Sequence, residues 1–360
     1  MAEASIIKLE LESVRLELSG DIRAALNVSE QVLSLQVEDL GTDHTDVGTT
    51  LVRIGSMLMQ MGHDAKAMEG LERALSIFKK AYGEEHQQVA STIAKIALIH
   101  MGAAQYDMAL KKNLQVLDIL HKLKLGEEHH DVITTKENTA TVYQLVGDWA
   151  SALSLYESCL AVKRRLLGEE HLGIAKTMVN MGSIYYRTGR YDEALEHFEK
   201  GMEIQVNDKG ASKVDMAGTL SNIGSVYARK GNVTEALQHH QQALEFSREA
   251  LGDKNEIVAS ALNNIGNIFT TDGRINRALD MYEDALSIEE ELFGKEHPSV
   301  ADTKFNMGLL YKQDENFVES QRLLEWCTGI YAKFYGPEHP RTSDARAKAA
   351  EVAALAAAPG

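Results

Sequence analysis

The amino-acid sequence predicts an all-α fold, an α-solenoid of eight antiparallel helix pairs closed by a C-terminal capping helix. Three observations predict it. Glycine recurs at Gly41, Gly83, Gly126, Gly168, Gly210, Gly252, Gly294 and Gly336, in steps of 42 residues with a single step of 43. A small residue keeps the same rhythm and the same slip, as Ala25, Ala67, Ala109, Ala152, Ala194, Ala236, Ala278 and Ser320. Between these markers, apolar residues fall three and four apart with no strand-like alternation, which is the spacing of one helix face. Such a period marks a repeat architecture: one pair of helices cannot bury its apolar stripe alone, whereas stacked pairs share a core.

The elements follow in chain order. Residues 1–40 read as a degenerate N-terminal repeat and cap, 41–335 as seven units of 42 residues continuous with it, and 336–360 as a capping helix (about 340–357) and short tail. The inserted residue lies near 119–125, because Ala109 precedes the slip and Gly126 follows it. Each marker glycine is expected just past a helix ending at Leu40, Tyr82, Leu125, Leu167, Leu251, Phe293 or Tyr335, in a left-handed conformation that carries no Cβ penalty. A second glycine (Gly20, Gly62, Gly147, Gly189, Gly231, Gly273) separates the helices of a pair, with Ala104 and Glu315 standing in for it elsewhere. Pro298 and Pro340 fit a first helical turn, and Pro337 and Pro359 lie outside helix interiors.

Composition bounds the function. A hydrophobic fraction of 44% excludes wholesale disorder, and no apolar run approaches the ~18 residues of a membrane span. The charged N-terminus lacks the apolar core of a signal peptide. A net charge of −16 argues against a nucleic-acid binder. Cys159 and Cys327 stand 168 residues apart, four periods of 42, so they fill one packed column, as suits a reducing, cytoplasmic setting. Six markers read Gly-x-x-His, ending in His44, His86, His129, His171, His297 and His339. One histidine per repeat is too sparse for a shared metal, so a structural role at the start of the next helix is expected. Glutamate pairs such as Glu84–Glu85 recur in connectors as solvated edges. No phosphate-binding loop, His-Glu-x-x-His or Gly-x-Ser-x-Gly occurs, so neither catalysis nor a cofactor is expected.

The first helices share a string, seen in TMVNMGSIYYRTG, TLSNIGSVYARKG, ALNNIGNIFTTDG and TKFNMGLLYKQDE. Asn-apolar-Gly-x-x-Tyr/Phe followed by Gly-x-x-x-x-Ala resembles the tetratricopeptide repeat. The period and the GEEH or GKEHP connectors look like the variety found in kinesin light chains. The resemblance implies a right-handed solenoid whose first helices line a concave groove. It also implies a non-enzymatic adaptor or scaffold, cytoplasmic and in a cytoskeletal or motor-associated complex. The alternative is a permanent structural subunit bound through convex or edge surfaces.

On that resemblance the groove carries Asn138, Asn180, Asn222, Asn264 and Asn306 in one column, with Asn263 beside it and Arg53 and Lys95 extending it toward the N-terminus. An amide offers donors and an acceptor, so a ladder of them suits an extended peptide; the competing use is bonding to helix carbonyls or the adjacent repeat. The inward places hold six basic residues (Arg53, Lys95, Lys176, Arg187, Arg229, Lys312) and two acidic ones (Glu137, Asp302), a local sum of 6 − 2 = +4. Collected charge of one sign attracts its opposite. The expected ligand is an acidic protein segment, or a C-terminal carboxylate, near Lys176, Arg187 and Arg229; guanidinium suits carboxylates through paired bonds.

Overall fold

A computed structural model describes residues 2–357. Seventeen helices and no strand occur among the described residues. They pair as α1 (Ala2–Leu18) with α2 (Ile22–Leu40), α3 (Thr45–Gln60) with α4 (Asp64–Tyr82), α5 (Gln87–Gly102) with α6 (Tyr106–Lys122), and α7 (His130–Val146) with α8 (Trp149–Leu167). The series continues with α9 (Leu172–Arg187) and α10 (Tyr191–Asn207), α11 (Lys213–Arg229) and α12 (Val233–Leu251), α13 (Glu256–Thr271) and α14 (Ile275–Phe293), and α15 (Pro298–Gln313) and α16 (Phe317–Tyr335). A last helix, α17 (Pro340–Ala357), packs on α16.

The chain divides into two compact units, residues 1–169 and 170–360. Within each, a first helix packs on its own second helix, and that second helix on the next first helix. First helices also meet the next first helix, as α3 meets α5, α9 meets α11 and α13 meets α15. Each unit is thus a stack of antiparallel pairs, the α-solenoid arrangement.

The small column explains how the pairs close. All eight of its members are wholly buried, so the second helix crosses its neighbour where no large side chain intervenes. The glycine two places after the column asparagine serves the same contact from the other side. A Cβ on Gly182 would stand 2.7 Å from the Phe198 ring, and one on Gly266 2.6 Å from Tyr282. The Tyr282 hydroxyl donates to Asn267 Oδ1 at 2.7 Å, which satisfies the buried phenol.

The connector histidines start helices. In all six, Nδ1 accepts the backbone N–H two residues on, from His44 (3.2 Å) through His171 (3.0 Å) to His339 (3.2 Å). Where the histidine is missing, Ser212 and Asn255 accept the equivalent bond at 3.2 and 2.9 Å. An orphan N–H of the first turn is satisfied in every case. Pro298 and Pro340 open α15 and α17, Pro337 lies between α16 and α17, and Pro359 lies outside the described residues.

Two expectations about connectors need correction. The marker glycines at helix ends are not left-handed: Gly168 has φ 82° and ψ 166°, and Gly41 and Gly294 match it. That is mirror-image extended backbone, a region essentially reserved for glycine. The left-handed turn lies between the helices of a pair, as at Gly147 (φ 83°, ψ 9°), and Ala104 and Glu315 adopt its positive φ without being glycine. Finally, α6 stops at Lys122 rather than Leu125. Lys124 takes φ 58° there and absorbs the inserted residue, so Gly126 needs no positive φ.

Candidate functional site

In the first unit, Arg53 on α3 gives its guanidinium to Glu17 of α1, with Nη2 and Nε at 2.7 and 3.0 Å from one carboxylate oxygen. Lys95 on α5 and Asn138 on α7 line one shallow cleft of about 200 Å³. Both are half-buried.

The second unit holds larger recesses. Lys176 and Asn180 on α9 face Asn222 on α11 across a cleft of about 560 Å³. Gln205, near the end of α10, also lines it, as does Asp215 on α11. A second recess of about 430 Å³ gathers Tyr186, Arg229, His240, Asn264 and Asn267. There Arg229 donates Nε to the Tyr186 hydroxyl at 3.3 Å, and Asn264 Nδ2 donates to Ser221 Oγ at 3.3 Å. Arg187 is exposed at the end of α9, and Asn306 is half-buried on α15.

Asn263 belongs to a different environment. Its Nδ2 donates to Thr303 Oγ1 at 2.8 Å and to Glu289 Oε1 at 3.1 Å, knitting α13 to α14 and α15. Burial pushes the Glu289 carboxyl up to about 7, against the opposing pull of the Thr303 and Asn263 hydrogen bonds. One position along a helix is a turn of about 100°, enough to move an amide from the open face to the seam between layers.

Ion pairing sorts the charges. Both acidic groove residues are neutralised locally, Glu137 by Lys163 at 2.5 Å and Asp302 by Arg341 at 2.7 Å. Among the cations, Arg53 is held by Glu17 and Lys312 by Glu351 at 2.6 Å. Lys95, Lys176, Arg187 and Arg229 have no carboxylate partner among the described residues. Nearby cations outside the column, such as Arg190, Lys200, Lys213 and Lys230, are each paired. The first-helix face of the second unit thus keeps Lys176, Arg187 and Arg229 without a carboxylate partner among the described residues, as Lys209, Arg277, Lys295 and Arg346 are elsewhere in that unit, while Asp215 is an unpaired carboxylate in the cleft of Lys176.

Burial sets the remaining titrations. His240 is pushed down to about 4 by burial, helped by the charge of His239. The thiols of Cys159 and Cys327 are pushed up to about 12, again by burial, and both are free. They are inert packing residues whose sulfurs lie against the carbonyls of Ile133 and Ala301. No group of three His, Cys, Asp or Glu able to hold a metal, and no helix long and apolar enough to cross a membrane, occurs among the described residues.

Sequence reasoning missed Gln205, Asp215 and His240 as cleft residues, whereas Tyr186 and Asn267 lie at inward places of the first-helix face without having been singled out. Gln205 and His240 sit on second helices, away from the face under consideration, and Asp215 is a turn ahead of the column places. The column of Gln205 gave no signal, since Gln36, Lys163, Ser247, Glu289 and Tyr331 make it mostly polar and only Phe78 and Leu120 are hydrocarbon.

A family model of the tetratricopeptide repeat matches residues 46–122, 88–165, 131–205, 215–291 and 276–333. No curated protein matches the sequence. Among solved structures, the apo form of RapI is similar at 16% identity, over 80% of this chain and 98% of that one, with a TM-score of 0.60. The apo form of the quorum sensor NprR from B. thuringiensis is similar at 14% identity, over 98% and 100%, with a TM-score of 0.56. BtubC (BKLC) from P. vanneervenii is similar at 23% identity, over 66% and 92%, with a TM-score of 0.52. At these identities the likeness speaks of fold alone.

Proposed function

The chain belongs to the tetratricopeptide repeat family, and from that premise we propose that it is a non-enzymatic scaffold whose first-helix face holds an extended, acidic segment of a partner protein. The observation that carries this reading is the set of cations without an ion pair among the described residues, Lys95, Lys176 and Arg229, lining the same clefts as Asn138, Asn180, Asn222 and Asn264, with Arg187 exposed at the end of α9. Unpaired positive charge in concave, partly desolvated places speeds and orients the approach of carboxylates. Neighbouring amides satisfy main-chain N–H and C=O groups of a segment laid across them. The GEEH and GKEHP connectors support extending the reading to a kinesin-light-chain-like adaptor in a cytoplasmic, cytoskeletal or motor-associated complex.

Crosslinking mass spectrometry on the complex isolated from its source cells tests the face used. Partner crosslinks at Lys95 and Lys176 support the reading. Crosslinks confined to second-helix lysines such as Lys111 and Lys200 would instead indicate an assembly subunit bound through its outer surfaces. With the partner in hand, Arg187→Glu combined with Arg229→Glu should weaken binding by about tenfold or more and flatten its salt dependence.

A further inference from the structure

The 560 Å³ cleft of the second unit contains a polar group that its own chain leaves unsatisfied. Gln205 is only 6% exposed, yet its Oε1 has no hydrogen-bond donor among the described residues. A buried carbonyl oxygen without a donor is costly, and a ligand delivering one relieves the cost. The column is mostly polar, yet its other polar members are bonded within the chain: Gln36 by Thr50, Lys163 to Glu137, Ser247 to the Ala243 carbonyl, Glu289 by Thr303 and Asn263, and Tyr331 to Asp302. Phe78 and Leu120 fill the place with hydrocarbon, so the fold does not demand an amide there.

The walls of the cleft decide what kind of donor fits. Lys176 stands on one side and Asp215 on the other, and no ion pair joins them or engages either one among the described residues. Their opposite charges offset each other within the cleft, so it favours neither sign there, and the carboxylates of the segment are left to the cations beyond it. A neutral group loses nothing to that balance. Asn180 and Asn222 add amide donors and acceptors at the same opening. The neutral group that presents both a donor and an acceptor in one plane is a primary carboxamide. It pairs with another carboxamide through two antiparallel N–H···O bonds, whichever way the Gln205 amide is turned.

We propose that this cleft is a specificity pocket for a glutamine or asparagine side chain of the bound segment, with Gln205 as its floor. The inference rests on the peptide-binding reading above and names one residue of the ligand. The Gln205 amide pairs with the entering carboxamide, and the flanking main chain runs past Asn180 and Asn222.

The test uses the full chain and single capped residues, which are too short to span the groove. N-acetyl-glutamine-N-methylamide is titrated into protein labelled for NMR, alongside its glutamate, methionine and lysine counterparts. The expected result is saturable shifts of the Gln205, Asn180 and Asn222 side-chain amides, with the glutamine compound binding at least about tenfold more tightly than the others. Gln205→Met, nearly equal in volume, should abolish that preference while melting no lower than the parent chain. Gln205→Leu, the residue type of Leu120 in the same column, serves as a second variant should the methionine substitution disturb folding. Equal binding of the methionine or lysine compound, or a preference for glutamine that survives loss of the Gln205 amide, would overturn the assignment. Such a failure leaves the crosslinking and the Arg187 and Arg229 reversals untouched, so the pocket and the groove are judged separately.

Discussion

Helices α1 and α9 occupy the same place in their respective units and use it differently. Four equivalent positions on α1 carry Ile7, Leu11, Val14 and Leu18, all exposed, with Leu18 at 84%. On α9 those positions carry Lys176, Asn180, Ser183 and Arg187. Beneath this contrast the packing is conserved in kind. Ala25 and Ala194 are both wholly buried. Where Gly182 makes room for Phe198, Ser13 and Ser29 form a small, hydrogen-bonded pair at 2.7 Å. Interior places are therefore matched in size, glycine opposite Phe198 and Tyr282, alanine opposite Tyr156 at Ala140, or two serines together, while the open face is free to change its chemistry. Fold is set by the first kind of position and, on the function proposed above, recognition by the second.

The sharpest way to break this comparison is to disturb a matched pair. Gly182→Ala should cost about 3 kcal/mol, because its Cβ would lie 2.7 Å from the buried Phe198 ring, which must shift to admit it. Chemical denaturation measures it, and a neutral outcome would mean the pairs are not matched. Acid should next separate the two units. The folded state holds His240 at about 4, below the 6.5 of the free side chain. As pH falls from 6.5 toward 4 the unfolded chain takes the proton first, so the second unit should lose on the order of 2–3 kcal/mol across that window. His240→Phe, which restores the type of residue found at Phe198, should remove this loss in pH-dependent melts.

Glu289 works in the opposite direction. Its folded value of about 7 lies above the ordinary 4.5, so the unfolded chain ionises first as pH rises. The second unit should be most stable with respect to this group below 4.5 and lose roughly 2 kcal/mol between 4.5 and 7. Glu289→Gln should recover that loss at pH 8 and show no gain at pH 4. The smallest effect is expected on the open face. Leu11→Asn and Asn180→Leu should each alter stability by less than about 0.5 kcal/mol, and a larger shift in either would show that the face is part of the core.

Much of the fold was legible because stacked helices must repeat their constraints. The wholly buried small column and the glycine opposite Phe198 or Tyr282 are visible in the sequence as columns. The connector histidines were recognisable as helix starts because one residue type recurs at one place. Connector conformation was less legible, since glycine marks positive φ without distinguishing a left-handed turn at Gly147 from mirror-image extended backbone at Gly168. The clefts were legible only along one helix face. Lys176, Asn180 and Asn222 do share a recess, but Gln205 reaches it from another helix, and sequence alone does not place one helix against the next. Asn263 shows the limit from the other side: adjacent to Asn264 in sequence, it is turned into the seam by one helical step.

The turn around Lys124 takes up a whole extra amino acid while α6 and α7 stay in contact and Leu123 and Leu125 remain packed on the core. Length errors at such a joint are thus contained where they arise. Genetic duplication or deletion of a module, which seldom cuts cleanly, leaves a protein that still closes up around the scar, so chains of this design can grow and shorten over evolutionary time without first having to be repaired.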